Sequence, residues 1–198
     1  MREEARKRAF EAFAIESESI LKTGEVIDQE AFMKACEILA TVPRIGASGC
    51  GHTGIACRHF AHLMCCIERP AHFISPAEAV HGGLGYLQEG DCILLASRGG
   101  KTDELLPIAR VCRDKGVTVI GVTENPHSPL AELSDIVIGM KVTKECDRYN
   151  CQGTTSFAVT CAIFDAMQTA VLELTGFQNE HFAVIHPGGA VGKRLNEK

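Results

Sequence analysis

The chain has 198 residues, of which 45% are hydrophobic and 23% are charged, as in an ordinary globular domain. This length suffices for one domain with a substantial core but is short for two. The net charge is −5 and no run of Lys or Arg occurs, which argues against a nucleic-acid-binding surface. No apolar run reaches the length of a membrane span, and the charged N-terminus lacks a signal-peptide core. We therefore expect a cytoplasmic protein without nucleic-acid or membrane partners.

The ten cysteines do not indicate a disulfide framework. Most of them fall inside apolar stretches, where a free thiol behaves as a small buried hydrophobe, and no C-x-x-C pair occurs. The stretch "CRHFAHLMCC" places His59 and His62 three residues apart on one helix, but no second ligand pair has zinc-site spacing. We interpret this stretch as a packed helix and expect no metal.

The N-terminal part of the chain predicts two helices. Residues 2–22 follow a helical pattern, and the whole segment 1–27 is expected to dock on the body or on a second subunit. The apolar positions of this pattern are Ala5, Phe10, Phe13, Ile20 and Leu21. Asp28 is a suitable cap for a second helix over 29–42, which ends before Pro43.

Short apolar segments then alternate with helical patterns. The predicted strands are 44–48, 71–75, 92–97, 117–123 and 135–140. The predicted helices are 51–67, 103–116 and 154–175, with a turn over 124–133. Continuously apolar strands separated by helices indicate a parallel sheet covered on both faces. The expected fold class is α/β, a doubly wound five-stranded parallel sheet in a single domain with extra N-terminal helices.

Ligands of such folds bind at the carboxyl ends of the strands. The loop after the first strand, "ASGCGHTG", has G-x-G-x-x-G spacing and opens a helix, which suits an anion. A dinucleotide site would place an acidic residue at the end of the second strand, where Ser75-Pro76 stands instead. The loop after the third strand, "ASRGGKTDELL", again offers hydroxyls and glycines. Two such loops on adjacent strands favour a compact phosphorylated metabolite.

Four segments carry a resemblance to a known family. In chain order they are "SPAEAVHGGLG", "ASRGGKTDEL", "KVTKECDRYNCQGTTS" and "IHPGGAVGKRL". From about residue 28 onward the chain resembles the sugar isomerase (SIS) domain, and these segments are similar to those of arabinose 5-phosphate isomerases. The resemblance is to a form consisting of the SIS domain alone, without the C-terminal pair of CBS domains that the family often carries.

The resemblance implies a site for a phosphorylated monosaccharide. The residues that would hold the phosphate are Ser48, Ser97, Gly99, Gly100, Thr102 and either Thr155 or Ser156. The residues that would do acid–base work are Glu104, Glu145, His81 and His186. One of the two glutamates would shuttle a proton between C1 and C2, and His186 would open the ring. No metal or organic cofactor is implied.

Three of these residues also have structural interpretations. Glu104 could be a carboxylate favoured by a helix dipole, and His81 could shape the turn at the following glycines. Glu145 could form a surface ion pair, since basic residues surround it in the sequence. Those neighbours are Lys141, Lys144 and Arg148.

The chain departs from the family pattern in two places. Gly49 and Cys50 stand where the family isomerases have Lys and Ser, and Gly83 stands where they have Asp. Loss of the lysine removes a point charge that could hold phosphate or polarise a substrate oxygen. Arg98 and Lys101, which flank the second loop, are candidates to replace it.

The function implied by the resemblance is aldose–ketose isomerisation of the arabinose 5-phosphate/ribulose 5-phosphate type. One alternative is a non-catalytic, phosphosugar-binding regulatory protein, which the missing lysine favours. The other is an SIS isomerase for another sugar phosphate, such as 3-hexulose 6-phosphate or sedoheptulose 7-phosphate. Because the His-Pro-Gly-Gly tail of SIS proteins tends to complete a neighbour's site, a homodimer or homotetramer is expected.

Overall fold

A five-stranded, all-parallel sheet forms the centre of the computed structural model, which describes residues 1–196. Its strands are β1 (Ile45–Ser48), β2 (Ala71–Phe73), β3 (Cys92–Ala96), β4 (Thr118–Thr123) and β5 (Ile136–Gly139). The strand order is β2-β1-β3-β4-β5, and each neighbouring pair is parallel. The predicted doubly wound α/β fold is confirmed.

Nine α-helices and one 3₁₀ helix (Gly83–Tyr86) connect or flank these strands within residues 1–196. The first six are α1 (Arg2–Val26), α2 (Gln29–Thr41), α3 (Gly51–Cys66), α4 (Pro76–Ala79), α5 (Leu106–Asp114) and α6 (Pro129–Leu133). The last three are α7 (Thr155–Thr175), α8 (Asn179–Ile185) and α9 (Gly189–Asn196).

Two elements differ from the prediction for local reasons. Helix α5 begins at Leu106 rather than at residue 103, because Pro107 has no N–H and fits only the first turn of a helix. The stretch 124–133, predicted as a turn, contains the short helix α6. Ser128 caps this helix, since its Oγ accepts a hydrogen bond of 3.2 Å from the N–H of Ala131.

The sheet separates two apolar cores, which explains why its strands are continuously hydrophobic. Ala47 and Leu94 face the core shared with α2, α3 and α7, where the rings of Phe60 and Phe164 lie 4.9 Å apart. Ile93 and Leu95 face the opposite core, which α5 and α6 cover. Successive strand residues therefore point to opposite layers, and both layers exclude water.

Helix α7 belongs to the first core. It is the one helix within residues 1–196 that is long and apolar enough to cross a membrane, with a mean hydropathy of 1.4. Its buried side chains pack inside the domain, so its apolar character is that of a core helix. They include Val159, Ile163, Phe164, Met167 and Val171.

Helix α1 contacts the body through two buried hydroxyls. Thr23 Oγ1 donates to the carbonyl of Lys141 at 3.0 Å and accepts from its N–H at 2.9 Å. Ser19 Oγ accepts from the N–H of Thr143 at 3.1 Å. The apolar positions behave differently, since Phe10 and Phe13 are each 69% exposed. Their expected packing on the body is not observed, and docking on a second subunit stays a prediction.

A buried carboxylate fixes the entry into β3. Asp91 is fully buried, and its Oδ2 accepts 2.8 Å and 2.7 Å hydrogen bonds from Arg44 Nε and the N–H of Gln88. Its Oδ1 accepts from the N–H of Arg44 at 3.1 Å. The starts of β1 and β3 are thus joined by one side chain.

We expect Asp91→Ala to lower the free energy of unfolding by about 2–3 kcal/mol, because two backbone N–H groups lose a buried acceptor. Urea denaturation of the variant beside Asp114→Ala, an exposed carboxylate of α5, measures the difference. A loss below about 0.5 kcal/mol, the range of ordinary surface substitutions, would contradict this account.

Candidate functional site

The carboxyl ends of β1 and β3 lie side by side, because Ser48 pairs with Leu95 in the sheet. Ser48 is fully buried at this edge, and its Oγ has no hydrogen-bond partner among the residues that the structure describes. Buried hydroxyls in proteins are nearly always hydrogen-bonded. An unsatisfied one at the ligand-binding edge of a parallel sheet is available to a ligand or to water.

The loop after β3 closes on itself through its own hydroxyls. Ser97 Oγ lies 2.8 Å from Thr102 Oγ1 and accepts from the N–H of Gly100 at 3.1 Å. Gly100 has φ of +64°, and a Cβ there would lie 2.0 Å from Ser128 Oγ, so the position requires glycine. Within residues 1–196 the N–H groups of Gly99, Lys101 and Thr102 have no acceptor. The loop therefore presents free donors, as anion-binding nests do.

Glu145 is buried beside this loop, only 3% exposed, rather than at the surface as its basic neighbours suggested. Its Oε1 accepts from Arg98 Nη1 at 2.8 Å. Its Oε2 accepts from the N–H of Ser156 at 3.1 Å and from the hydroxyl of Thr154 at 3.3 Å. Both carboxylate oxygens are thus occupied, and the residue ties the β3 loop to the start of α7.

Arg98 is bound on its other side by Glu124. Arg98 Nε donates to Glu124 Oε2 at 2.9 Å, so the guanidinium bridges two carboxylates. Burial acts to raise the pKa of the Glu124 carboxyl, but hydrogen bonds from Arg98 and the N–H of Val142, with the Lys141 charge, lower it. Arg98 is therefore held by two carboxylates, while Lys101 is exposed in the same loop, and the replacement of the missing lysine by either residue stays a prediction.

Glu104 lies in the turn that precedes α5 and is exposed. It lines a cleft of about 350 Å³ together with the loop after β1, the end of β2 and the segment 75–77. Cys50 lines the same cleft; burial raises the pKa of its thiol, and the Glu104 charge adds to the rise. Glu104 is the carboxylate within the described residues that faces this cleft without an ion-pair partner.

The two predicted catalytic histidines lie elsewhere on the chain. His81 is exposed in the turn after α4, where its N–H donates to the carbonyl of Glu78 at 3.1 Å. His186 is exposed at the end of α8, and its ring lies 4.9 Å from that of Phe182. Within residues 1–196 neither side chain makes a hydrogen bond or ring contact with the β1 and β3 loops. The structure thus shows Glu104 lining the cleft and Glu145 beside the β3 loop, and within the described part of the chain it shows no contact between either histidine side chain and the β1 and β3 loops.

Gly49 occupies a tight position. A Cβ there would lie 3.0 Å from Cys57 Sγ and 3.1 Å from the backbone of Thr53. A side chain at this position would need its neighbours to give way by a few tenths of an ångström. The glycine therefore lets the loop pack closely against α3.

His59 and His62 of α3 each lie close to a neighbouring side chain. His59 Nε2 lies 3.2 Å from Asp165 Oδ1 on α7, and His62 Nε2 lies 3.6 Å from Cys66 Sγ. Within residues 1–196 no three His, Cys, Asp or Glu side chains converge as a metal-binding group.

Sequence reasoning passed over two residues of this region. Glu124 falls in a stretch that was predicted only as a turn, and Arg58 lies two turns into α3, where helical periodicity alone predicts a solvated position. The sequence does hold a signal for Arg58. It stands four residues after Gly54, the last glycine of the first loop's pattern, so the two residues share one face of α3.

We expect the Glu124 carboxylate to make stability depend on acid pH. Its pKa is lowered from an ordinary value of 4.5, so its contribution is present above that pH and is lost as pH falls through the folded value. Urea denaturation from pH 6 to pH 3 should give a shallower decline for Glu124→Gln than for the unaltered chain. Glu25→Gln, at an exposed carboxylate of α1, is the control. Equal slopes in all three proteins would contradict the assignment.

Comparison with known proteins shows which family this sequence matches. The profile of the SIS domain matches residues 38–170. An arabinose 5-phosphate isomerase of Pseudomonas aeruginosa is 38% identical over 83% of this chain and 51% of its own length. That of Escherichia coli K12 is 32% identical over 93% of this chain and 56% of its own length. The chain thus spans about half the length of these curated relatives.

Solved structures share the fold over nearly the whole chain. A candidate sugar-phosphate isomerase from Listeria monocytogenes superimposes with a TM-score of 0.91 at 39% identity, covering 95% of this chain and 99% of that one. A protein of Escherichia coli CFT073 in complex with A5P gives a TM-score of 0.81 at 27% identity, covering 90% of this chain and 97% of that one.

Proposed function

The chain belongs to the SIS domain family, and on that premise we propose that it is a phosphosugar isomerase that interconverts an aldose and a ketose. The arabinose 5-phosphate/ribulose 5-phosphate pair is the proposed substrate, since relatives over most of this chain carry that name. The observation that carries the proposal is a loop in which the N–H groups of Gly99, Lys101 and Thr102 have no acceptor within residues 1–196, followed two residues later by the exposed Glu104 carboxylate, which lines the cleft. No cofactor is needed for this chemistry.

The β3 loop would bind the phosphate. The N–H groups of Gly99, Lys101 and Thr102 lack protein acceptors, and Ser97 and Thr102 add hydroxyls to the same turn. The unsatisfied hydroxyl of Ser48 stands at the end of the neighbouring strand. Ser156 would contribute in another way. Its N–H already donates a hydrogen bond to Glu145 Oε2, so only its hydroxyl is available to bind phosphate.

Glu104 is the better candidate for the proton shuttle. Its exposed carboxylate faces the cleft, whereas both oxygens of Glu145 accept hydrogen bonds from Arg98 and α7. A carboxylate within reach of C2 would remove that proton, giving an enediolate, and then return the proton to C1. Glu145 acts as a positioning residue, since it fixes the β3 loop through Arg98.

His186 would reach the site from a second copy of the chain. It is exposed at the end of α8, on a C-terminal hairpin that contacts the body through the 3.1 Å His181–Glu68 pair. The exposed Phe10 and Phe13 of α1 supply apolar surface for such an assembly. We propose a homodimer or homotetramer in the cytoplasm, with His81 orienting the substrate.

A regulatory phosphosugar-binding role is the alternative. One observation favours it, namely that Gly49 leaves the first loop without a cation and packs closely against α3. A protein that only senses a sugar phosphate would bind it without turnover, so a direct assay separates the two functions.

We expect the purified protein to convert arabinose 5-phosphate to ribulose 5-phosphate, and Glu104→Gln to lower kcat by about 10²–10⁴-fold. The matched control is Glu132→Gln, an exposed carboxylate of α6, which should retain full activity. Binding without turnover, shown by thermal stabilisation with the sugar phosphate, would instead support the regulatory protein.

We expect His186→Ala to be as inactive as Glu104→Gln, and a mixture of the two to regain activity if sites are completed across subunits. The two proteins are mixed after mild dissociation, and turnover is measured against each alone. Recovery needs one intact site built from two different chains. No recovery in a mixture proven to exchange subunits would place both residues in the same chain's site.

A further inference from the structure

The cleft beside Glu104 contains an arginine that no carboxylate neutralises. Arg58 lies on α3, and its guanidinium carbon is 3.9 Å from the centroid of the Phe73 ring. Within residues 1–196 this guanidinium has no ion-pair partner or hydrogen-bond acceptor, unlike Arg98, which bridges two glutamates. Stacking on an aromatic face holds the planar group in a defined orientation while leaving its N–H donors free.

The sheet register places this arginine at the ligand-binding edge. Phe73 is the last residue of β2 and pairs with Ala47, one residue before the end of β1. Arg58 therefore stands over the carboxyl end of the sheet, where the first loop begins. It lines the same cleft as Gly49, Cys50 and Glu104.

The two ends of the candidate site thus differ in chemistry. The β3 loop offers backbone donors and hydroxyls for a phosphate, whereas the lining of the cleft includes one carboxylate, Glu104, and one guanidinium, Arg58. A carboxylate that removes a proton and a cation that receives the resulting charge are the two groups that enolisation needs.

We propose that Arg58 binds the C1–C2 end of the substrate and stabilises the enediolate, supplying the cation that the first loop lacks at Gly49. The inference rests on the proposed isomerase function. When Glu104 removes the proton from C2, the C–H electron pair forms the C1–C2 double bond and the carbonyl electrons move to O1. The Arg58 guanidinium donates N–H groups to O1 and O2, which lie side by side as a carboxylate's oxygens do. A proton then passes from O2 to O1, and Glu104 returns its proton to C1 to leave the ketose.

The test compares Arg58→Ala, Arg58→Lys and the control Arg110→Ala, whose side chain is exposed on α5. We expect Arg58→Ala to lower kcat by about 10²–10³-fold while KM changes little, because the charge develops only in the transition state. Arg58→Lys should recover part of the lost kcat, since lysine restores the positive charge but not the paired N–H donors of the guanidinium. Arg110→Ala should match the unaltered protein.

A binding measurement keeps the test independent of turnover. Aldonate 5-phosphate carries at C1 the negative charge of the enediolate, so Arg58→Ala should bind it at least tenfold more weakly by calorimetry. Inorganic phosphate, which addresses only the β3 loop, should bind equally to all variants.

Two results would overturn the role of Arg58. One is an Arg58→Ala variant indistinguishable from Arg110→Ala in kcat and aldonate binding. The other is an equal loss of inorganic phosphate and aldonate binding, which would put Arg58 at the phosphate end. If the unaltered protein binds the aldonate but turns over no sugar phosphate, the isomerase proposal fails, and the aldonate comparison alone decides whether Arg58 holds the C1–C2 end.

Discussion

The ion pair between Arg98 and Glu145 is the interaction on which the candidate site depends. It joins the loop after β3 to the connection between β5 and α7, and the two paired residues are 47 positions apart in the chain. A carboxylate that is 3% exposed loses most of its hydration, and such a charge is tolerated only when partners replace the water. Arg98 and the N–H of Ser156 supply these partners, and Glu124 holds Arg98 from the other side. The loop that would bind phosphate is thereby fixed before any ligand arrives.

Small residues set the shape of the cleft around this framework. Gly100 allows the β3 loop to fold back against Ser128, and Gly49 allows the β1 loop to lie against α3. The second contact has a chemical side, because the position where the family isomerases have a lysine is a closely packed glycine here. Arg58, which lies on α3 with its guanidinium over the Phe73 ring of β2, lines the cleft together with Glu104. The departure of the first loop from the family pattern and the placement of Arg58 are parts of one arrangement.

The sequence and the structure differ most at residues whose surroundings come from distant parts of the chain. Glu145 has basic neighbours in sequence that suggested a surface pair, yet its partners are Arg98 and the N-terminus of α7. Helix α1 carries apolar residues that suggested burial, yet its contacts with the body run through Ser19 and Thr23. Local patterns report which side chains are apolar or charged. They do not report which element is packed opposite, and that decides burial.

The sequence by itself determined the sheet, its parallel direction and the two loops at its carboxyl edge, because strand length, apolar runs and glycine spacing are local signals of backbone structure. It also determined the family, through four segments spread along the chain. Tertiary structure alone decided which glutamate is free and which is held, since the partners of Glu145, Arg98 and the N–H of Ser156, come from other parts of the fold. It alone showed that Gly49 packs closely against α3 and that Arg58 shares a cleft with Glu104. Those facts depend on contacts between side chains that are distant in the sequence, and the periodicity of a sequence carries no information about such contacts.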